Sequence, residues 1–397
     1  MYKIIDECLC CGNKNLQVVL NLNSQPLANS YLKSFEEKED DFPLAINFCD
    51  KCTHTQLTHS VDPDKLFENY LYVSGTTKTL KSYFDWFVTF CSEYTDGKNV
   101  LDIACNDGTQ LDFFKKYGYN TYGIDPAKNL YDISSKEHNI VCDYLTDTSI
   151  SKFNINFDII IAQNVFAHNV YPKKFLEICR DNLNESGMIF IQTSQSDMIK
   201  NNQFDTIYHE HISFFSVKSF CTLAKRVGLN VIDVKRTSVH GTSFVFVLSK
   251  CGDDNSEKYI SVEETLDIGI IKEYSNKCKK IAVDTFNKIS ELRGEGYKII
   301  GYGAAAKGNT FLNFSKFTLD YIVDDNLLKQ NLYTPGSKIL ILPPTKLSQE
   351  KGKICIVPLA WNFFDEIKEK IYNLGLEDCI FLKYFPEVSV IYNKNII

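Results

Sequence analysis

Val100-Leu101-Asp102-Ile103-Ala104-Cys105-Asn106-Asp107-Gly108-Thr109 is the stretch that decides how this chain folds. It opens as a short buried run, passes through a turn of small and polar residues, and leads into a helical stretch at Gln110–Tyr117. Such a turn lets backbone approach a ligand closely, and the helix behind it presents free N–H groups. Upstream lies a helical stretch, Leu80–Tyr94; downstream, strand-like runs recur at Asn120–Ile124, Phe157–Ala162 and Gly187–Gln192, with another helix at Lys173–Leu183. This alternation predicts an α/β fold with a parallel, doubly wound sheet. Asn230–Arg236 and Thr242–Ser249 are separated by so few residues that they should pair antiparallel at its edge.

Further out the character changes on both sides. Residues 1–72 read as irregular, with short apolar pieces, an acidic run at Glu36–Asp41 and cysteines in pairs, so something other than a core must staple them. Residues 73–252 carry the wound sheet. Residues 253–397 begin with a helical connector at 257–292, and then βα alternation restarts at Tyr297–Gly301, Tyr321–Val323, Lys338–Leu342, Ile354–Val357 and Cys379–Phe381. That pattern predicts a smaller, Rossmann-like domain. With 397 residues, 44% of them hydrophobic, the chain has apolar material for two or three cores.

Composition excludes several classes. A net charge of -7 with no Lys/Arg-dense patch argues against a nucleic-acid surface. No apolar run approaches a membrane span or a leader's apolar core, so the expected address is cytoplasmic, with reduced thiols among the 14 cysteines. The expected state is a monomer or weak dimer. Cys8-x2-Cys11 and Cys49-x2-Cys52 offer four thiolates at knuckle spacing, which predicts a closed, structural zinc site; Cys10 is an alternative ligand through a register shift. No βαβ context surrounds either pair, which disfavours redox catalysis.

The turn after Asp102 does not fit GxGxxG, so a dinucleotide is disfavoured. Asp125, in Gly123-Ile124-Asp125-Pro126, stands at the end of the second strand, ~20 residues on, where a ribose diol is gripped in wound folds. Asp102-x-Ala104-Cys105-Asn106-Asp107-Gly108 followed by that acid resembles the S-adenosylmethionine loop of class I methyltransferases. On that resemblance Asp102, Ala104, Asn106, Asp107, Gly108, Asp125 and Pro126 hold the cofactor. Asp143 faces its adenine, and Gln163 and Asn164 end the fourth strand beside the transferred methyl.

Two later segments combine His, Tyr and Glu: Asn164-Val165-Phe166-Ala167-His168 and Tyr208-His209-Glu210-His211. The second is not HExxH, because Ser213 stands where the second His belongs. In an extended segment His209 and His211 would share one face and Tyr208 and Glu210 the other, so one pocket requires a turn. These segments, with Gln25-Pro26-Leu27-Ala28-Asn29, Leu71-Tyr72-Val73-Ser74-Gly75-Thr76, Gly301–Gly308 and Trp361-Asn362, resemble the sugar C-3-methyltransferases of deoxysugar biosynthesis, which act on nucleotide-linked 4-keto-sugars. The resemblance implies C-3 methylation of a nucleotide-diphosphate sugar with His211 as base. Tyr208 and Glu210 stand beside it, Tyr72 and His168 on the sugar or its enolate, Thr76 on the substrate, and His209 structural. The segment Ile191–Gln195 departs from the Glu-Val-Pro-like stretch expected there and borders the sugar. Methylation of a sugar hydroxyl, or a noncatalytic docking module built on zinc, are the rival readings.

The last domain repeats the strand–turn–helix pattern at Lys298–Asn309, with Asp324 ending the next strand. Gly303, Lys307 and Asn309 are candidates to hold the substrate's diphosphate. The alternative is a duplicated nucleotide fold that serves only for packing.

Overall fold

The computed structural model describes residues 1–67, 78–194, 198–237, 242–263, 266–376 and 379–392. Tyr72, Thr76 and Gln195 lie outside them. No described helix is long and apolar enough to cross a membrane.

The first domain is more regular than its sequence suggests. β1 (Tyr2–Ile4) pairs with β5 (His59–Val61), while β2 (Gln17–Pro26), β3 (Asp41–Cys49) and β4 (His54–Leu57) form an antiparallel meander. Its inward residues Leu20, Leu22, Leu44, Ile46 and Leu57 are buried in one cluster with Tyr274, Cys278 and Phe311 from the last third of the chain. The expectation of an irregular, coreless segment is thus corrected: its core is borrowed. At ~1.5–3 kcal/mol per buried aliphatic side chain, this seam contributes as much as a small core.

The central sheet holds β6 (Asn99–Ile103), β7 (Asn120–Ile124), β8 (Asn139–Val141), β9 (Phe157–Gln163), β10 (Leu183–Ser194), β12 (Asn230–Thr237) and β13 (Ser243–Ser249), in the order β12-β13-β10-β9-β6-β7-β8. β6 to β10 run parallel; β13 is antiparallel to both neighbours. Ile159, Ile160, Ile161 and Ala162 are all fully buried, as a strand covered by helices on both faces requires. Strand order reverses between β6 and β9, and the carboxyl ends beside such a reversal are where wound sheets take their ligands. β11 (Ser213–Phe214) leaves this domain and adds itself to β4 of the first.

The last sheet runs β16-β15-β14-β17-β18-β19, from β14 (Lys298–Tyr302), β15 (Tyr321–Val323), β16 (Ile341–Leu342), β17 (Ile354–Pro358), β18 (Ile380–Lys383) and β19 (Ser389–Tyr392). All pairs are parallel except the last. The connector is two helices, Ser256–Val262 and Ile268–Gly294, not one stretch. The break has a cause on each side. Glu263 turns extended and its carboxylate accepts the Val217 N–H at 2.8 Å, while Asp267 caps the next helix through the Ile270 N–H.

Candidate active site

The turn after β6 is shaped by three left-handed residues, Ala104, Asn106 and Gly108 (φ 60°, 53° and 84°). Two are not glycine, and strain of that kind is held where a backbone must present itself to a ligand. At Gly108 an added Cβ would also stand 3.0 Å from the His138 ring. Asp125 ties the turn down: its two oxygens accept the N–H groups of Asn106 and Ala127, both at 2.8 Å, with Pro126 between. Burial raises the Asp125 pKa, and burial followed by the neighbouring Asp125 charge lifts Asp102 well above the carboxylate range. Asp107 accepts the Thr109 N–H at 3.1 Å just ahead of the next helix, and Asp143 pairs with Lys152 at 3.4 Å.

At the end of β9, Gln163 gives its amide to Gln110 and Asn164 gives its own to Gln192, while Gln163 Oε1, Asn164 Oδ1 and Gln192 Nε2 are buried without a hydrogen-bond partner among the described residues. Orphaned polar atoms around a strained turn and a diol-spaced acid are the set that S-adenosylmethionine satisfies.

The base segment does turn. His211 N–H returns to the Tyr208 carbonyl at 2.9 Å, which brings the Tyr208 hydroxyl to His211 Nε2 at 2.8 Å. On the other side of the ring, Nδ1 lies 2.7 Å from the Thr206 carbonyl. That carbonyl can only accept, so Nδ1 carries the proton and Nε2 accepts from Tyr208. His168 faces the His211 ring with centroids 5.1 Å apart, and burial pushes its pKa down to about 4, leaving it neutral. Glu210 points elsewhere, to the Asn29 amide at 2.6 Å; burial pushes its pKa up to about 7 against that hydrogen bond. His209 sits on the Phe42 carbonyl at 3.2 Å, the structural role expected of it. Asn29, Gln110 and Gln192 were not singled out one by one because their use depends on long-range contacts; the signals were the Gln25–Asn29 stretch and the segment Ile191–Gln195.

Two backbone bonds lock the base to its surroundings. Ile212 N–H donates to the Ala167 carbonyl, next to His168, and Leu57 N–H donates to the Ile212 carbonyl, both at 2.9 Å. β11 then continues along β4, which begins two residues after Cys52. Sγ atoms of Cys8, Cys11, Cys49 and Cys52 all lie within 4.8 Å of one another, and the pairs Cys8–Cys52 and Cys11–Cys49 are 3.5 Å apart. Four thiolates at Zn–S distances of ~2.3 Å span such a cage, with no position left for chemistry. Cys10 is buried but stands outside this set.

Three family models match along the chain: a zinc binding domain over residues 8–67, a methyltransferase domain over 77–234 and a C-methyltransferase C-terminal domain over 238–386. The chain is similar to the C-methyltransferase NovU of Streptomyces niveus, 29% identical across 98% of this chain and 97% of NovU. It is an S-adenosylmethionine-dependent C-methyltransferase with a structural zinc domain. Part of the methyltransferase is also similar to the sphingolipid C9-methyltransferase of Candida albicans, at 26% identity over 48% of this chain and 43% of that one. A solved S-adenosylmethionine-dependent methyltransferase from Clostridium acetobutylicum aligns with 48% of this chain and 96% of its own, at 15% identity and a TM-score of 0.36.

In the methyltransferase the second glycine turn repeats the geometry of the first. Ala304 N–H donates to Asp324 at 2.6 Å, as Asn106 N–H does to Asp125. Several of its remaining groups are taken up by the protein, while Asn309 Oδ1 is buried without a hydrogen-bond partner among the described residues. The left-handed Gly303 packs so that a Cβ would meet Ala360 at 2.7 Å, the Ala304 carbonyl accepts from Tyr31 and Lys329, and the fully buried Asn309 donates to the Ala28 carbonyl at 2.7 Å. The turn is thereby joined to residues 28–31 of the first domain. Lys307 differs. Its ammonium stands over the Trp361 ring at 5.1 Å and makes no ion pair among the described residues.

Proposed function

We propose that this enzyme methylates a nucleotide-linked 4-keto-sugar at C-3, in the cytoplasm, with the Tyr208–His211 pair as its base. One observation carries the reading: the line Thr206 carbonyl, His211 imidazole, Tyr208 hydroxyl, lying beside neutral His168. A C–H next to a ketone is acidic because the charge left behind spreads onto oxygen, and a base poised near neutrality removes it. Bound S-adenosylmethionine supplies an electrophilic methyl group.

The chain's own residues do the rest. Thr206 holds the Nδ1–H tautomer, so Nε2 is the basic atom. The sugar proton reaches Nε2 once the Tyr208 ring swings aside, or reaches the phenolic oxygen as its own proton passes to Nε2. His168, neutral, donates to the developing enolate oxygen, a contact worth ~3–4 kcal/mol in comparable sites. Tyr72 and Thr76 complete the sugar's surroundings in this reading, and Lys307 is the cation for its diphosphate. The test is incubation with methyl-labelled cofactor and a panel of nucleotide-linked 4-keto-sugars. A product carrying the label on carbon supports the proposal; a labelled methyl ether overturns it.

A further inference from the structure

The carbonyl that fixes the tautomer of His211 belongs to a single helical turn, Phe204–Thr206, which has no side-chain cap of its own. What holds that turn comes from the last domain. The Phe204 ring packs against Phe311 and Phe385 at 5.5 and 5.6 Å, and Asp205 Oδ2 accepts the indole N–H of Trp361 at 2.6 Å. Asp205 is fully buried, and its second oxygen has no hydrogen-bond partner among the described residues. The Lys307 charge also favours the carboxylate, yet a carboxyl buried this deeply costs stability that an apolar side chain of similar volume would not. Packing alone gives no reason for an acid here.

We infer that Asp205 and Trp361 are positioning residues: their bond across the seam sets the Thr206 carbonyl, and through it the proton of the catalytic imidazole. Aromatic packing restrains the turn from sliding, and the Ile207 N–H on the Phe204 carbonyl at 3.0 Å closes it, so the Thr206 peptide moves with the turn as one unit. The indole–carboxylate bond anchors that unit to the last domain one residue away. The C-terminal domain therefore acts on the chemistry without touching the reacting atoms. Among the described residues, polar groups that face the imidazole include Tyr208, His168 and Thr206, with Glu210 adjacent in sequence, and the Asp205 carboxyl interacts in turn with the Lys307 charge.

The inference rests on reading His211 as part of the base, but its test does not depend on turnover. Full-length protein labelled with nitrogen-15 at histidine and loaded with S-adenosylhomocysteine is compared with Trp361→Phe, Asp205→Leu and Asp205→Asn. The His211 signals are assigned through His211→Gln. In the starting protein the ring nitrogens should report the Nδ1–H tautomer. Trp361→Phe and Asp205→Leu, which break the bond, should raise the Nε2–H share several-fold, whereas Asp205→Asn, which keeps an acceptor for the indole, should hold the original tautomer. Where turnover is measurable, the two breaking variants should lose about a hundredfold in kcat with the cofactor's affinity unchanged. An unaltered His211 tautomer in either breaking variant that folds, or an Asn variant as disturbed as the Leu variant, overturns the inference. Failure of the keto-sugar assay alone would instead overturn the proposed substrate.

Discussion

Glu210 holds a carboxyl where charge is poorly tolerated. It is 5% exposed, and burial carries its pKa from the ordinary 4.5 to about 7, with the Asn29 amide partly offsetting the rise. An acid whose folded pKa lies above its unfolded one contributes most to stability while both states are protonated, below about 4.5. That contribution falls as pH rises through 7. At 1.36 kcal/mol per unit, the rise is worth about 3 kcal/mol. Glu210→Gln keeps an oxygen for Asn29 and cannot ionise. Urea unfolding at pH 4, below both pKa values, should find the variant within about 0.5 kcal/mol of the parent, the spread of a neutral substitution. At pH 8 the variant should be the more stable by about 3 kcal/mol. A gap that stays the same at both pH values would refute the argument, because it would mean the carboxyl is solvated in the folded state.

Other outcomes follow from the same geometry. His211→Asn should lower turnover by ~10²–10⁴-fold, the range of a general base, while calorimetry finds cofactor affinity unchanged; lost cofactor binding would move His211 out of the base role. Asp125→Ala should raise the cofactor Kd ten- to a hundredfold, since hydrogen bonds to charged groups contribute ~1.5–3 kcal/mol; an unchanged Kd would remove the ribose contact. Cys49→Ser should abolish bound zinc by elemental analysis. Because β11 hangs on β4, the amides of Ser213 and Phe214 should then exchange faster in deuterium while those of β6 and β9 stay protected. Unaltered exchange at Ser213 would separate the metal from the active site.

Much of this was legible in the residues. The run into Asp102, the acid at 125 and the apolar runs of the central sheet sit where the sequence put them, because buried parallel strands and βα turns are local patterns. The cysteine cage was legible for the same reason, its ligands being spaced by knuckle geometry. What failed was long-range. The strands of residues 1–67 looked too sparse to form a core because half of that core comes from the helix Ile268–Gly294 and its neighbours. Tyr208 and His211 seemed to face apart because alternation was counted along an extended segment, and the turn that reunites them is held by Ala167, some 40 residues earlier, and by Leu57 from the first domain. Asp205 gave no signal, since an acid before Thr206 reads as surface until Trp361 is brought across to it.

The most direct test of the chemistry follows the hydrogen that the base must remove. A nucleotide-linked 4-keto-sugar carrying deuterium at C-3 is incubated with the enzyme and cofactor, and the product is examined by mass spectrometry and carbon NMR. The account predicts that deuterium is lost as the methyl group arrives, that C-3 becomes a fully substituted carbon, and that His211→Asn retains the label in unreacted sugar. Deuterium still on C-3 in a methylated product would contradict it.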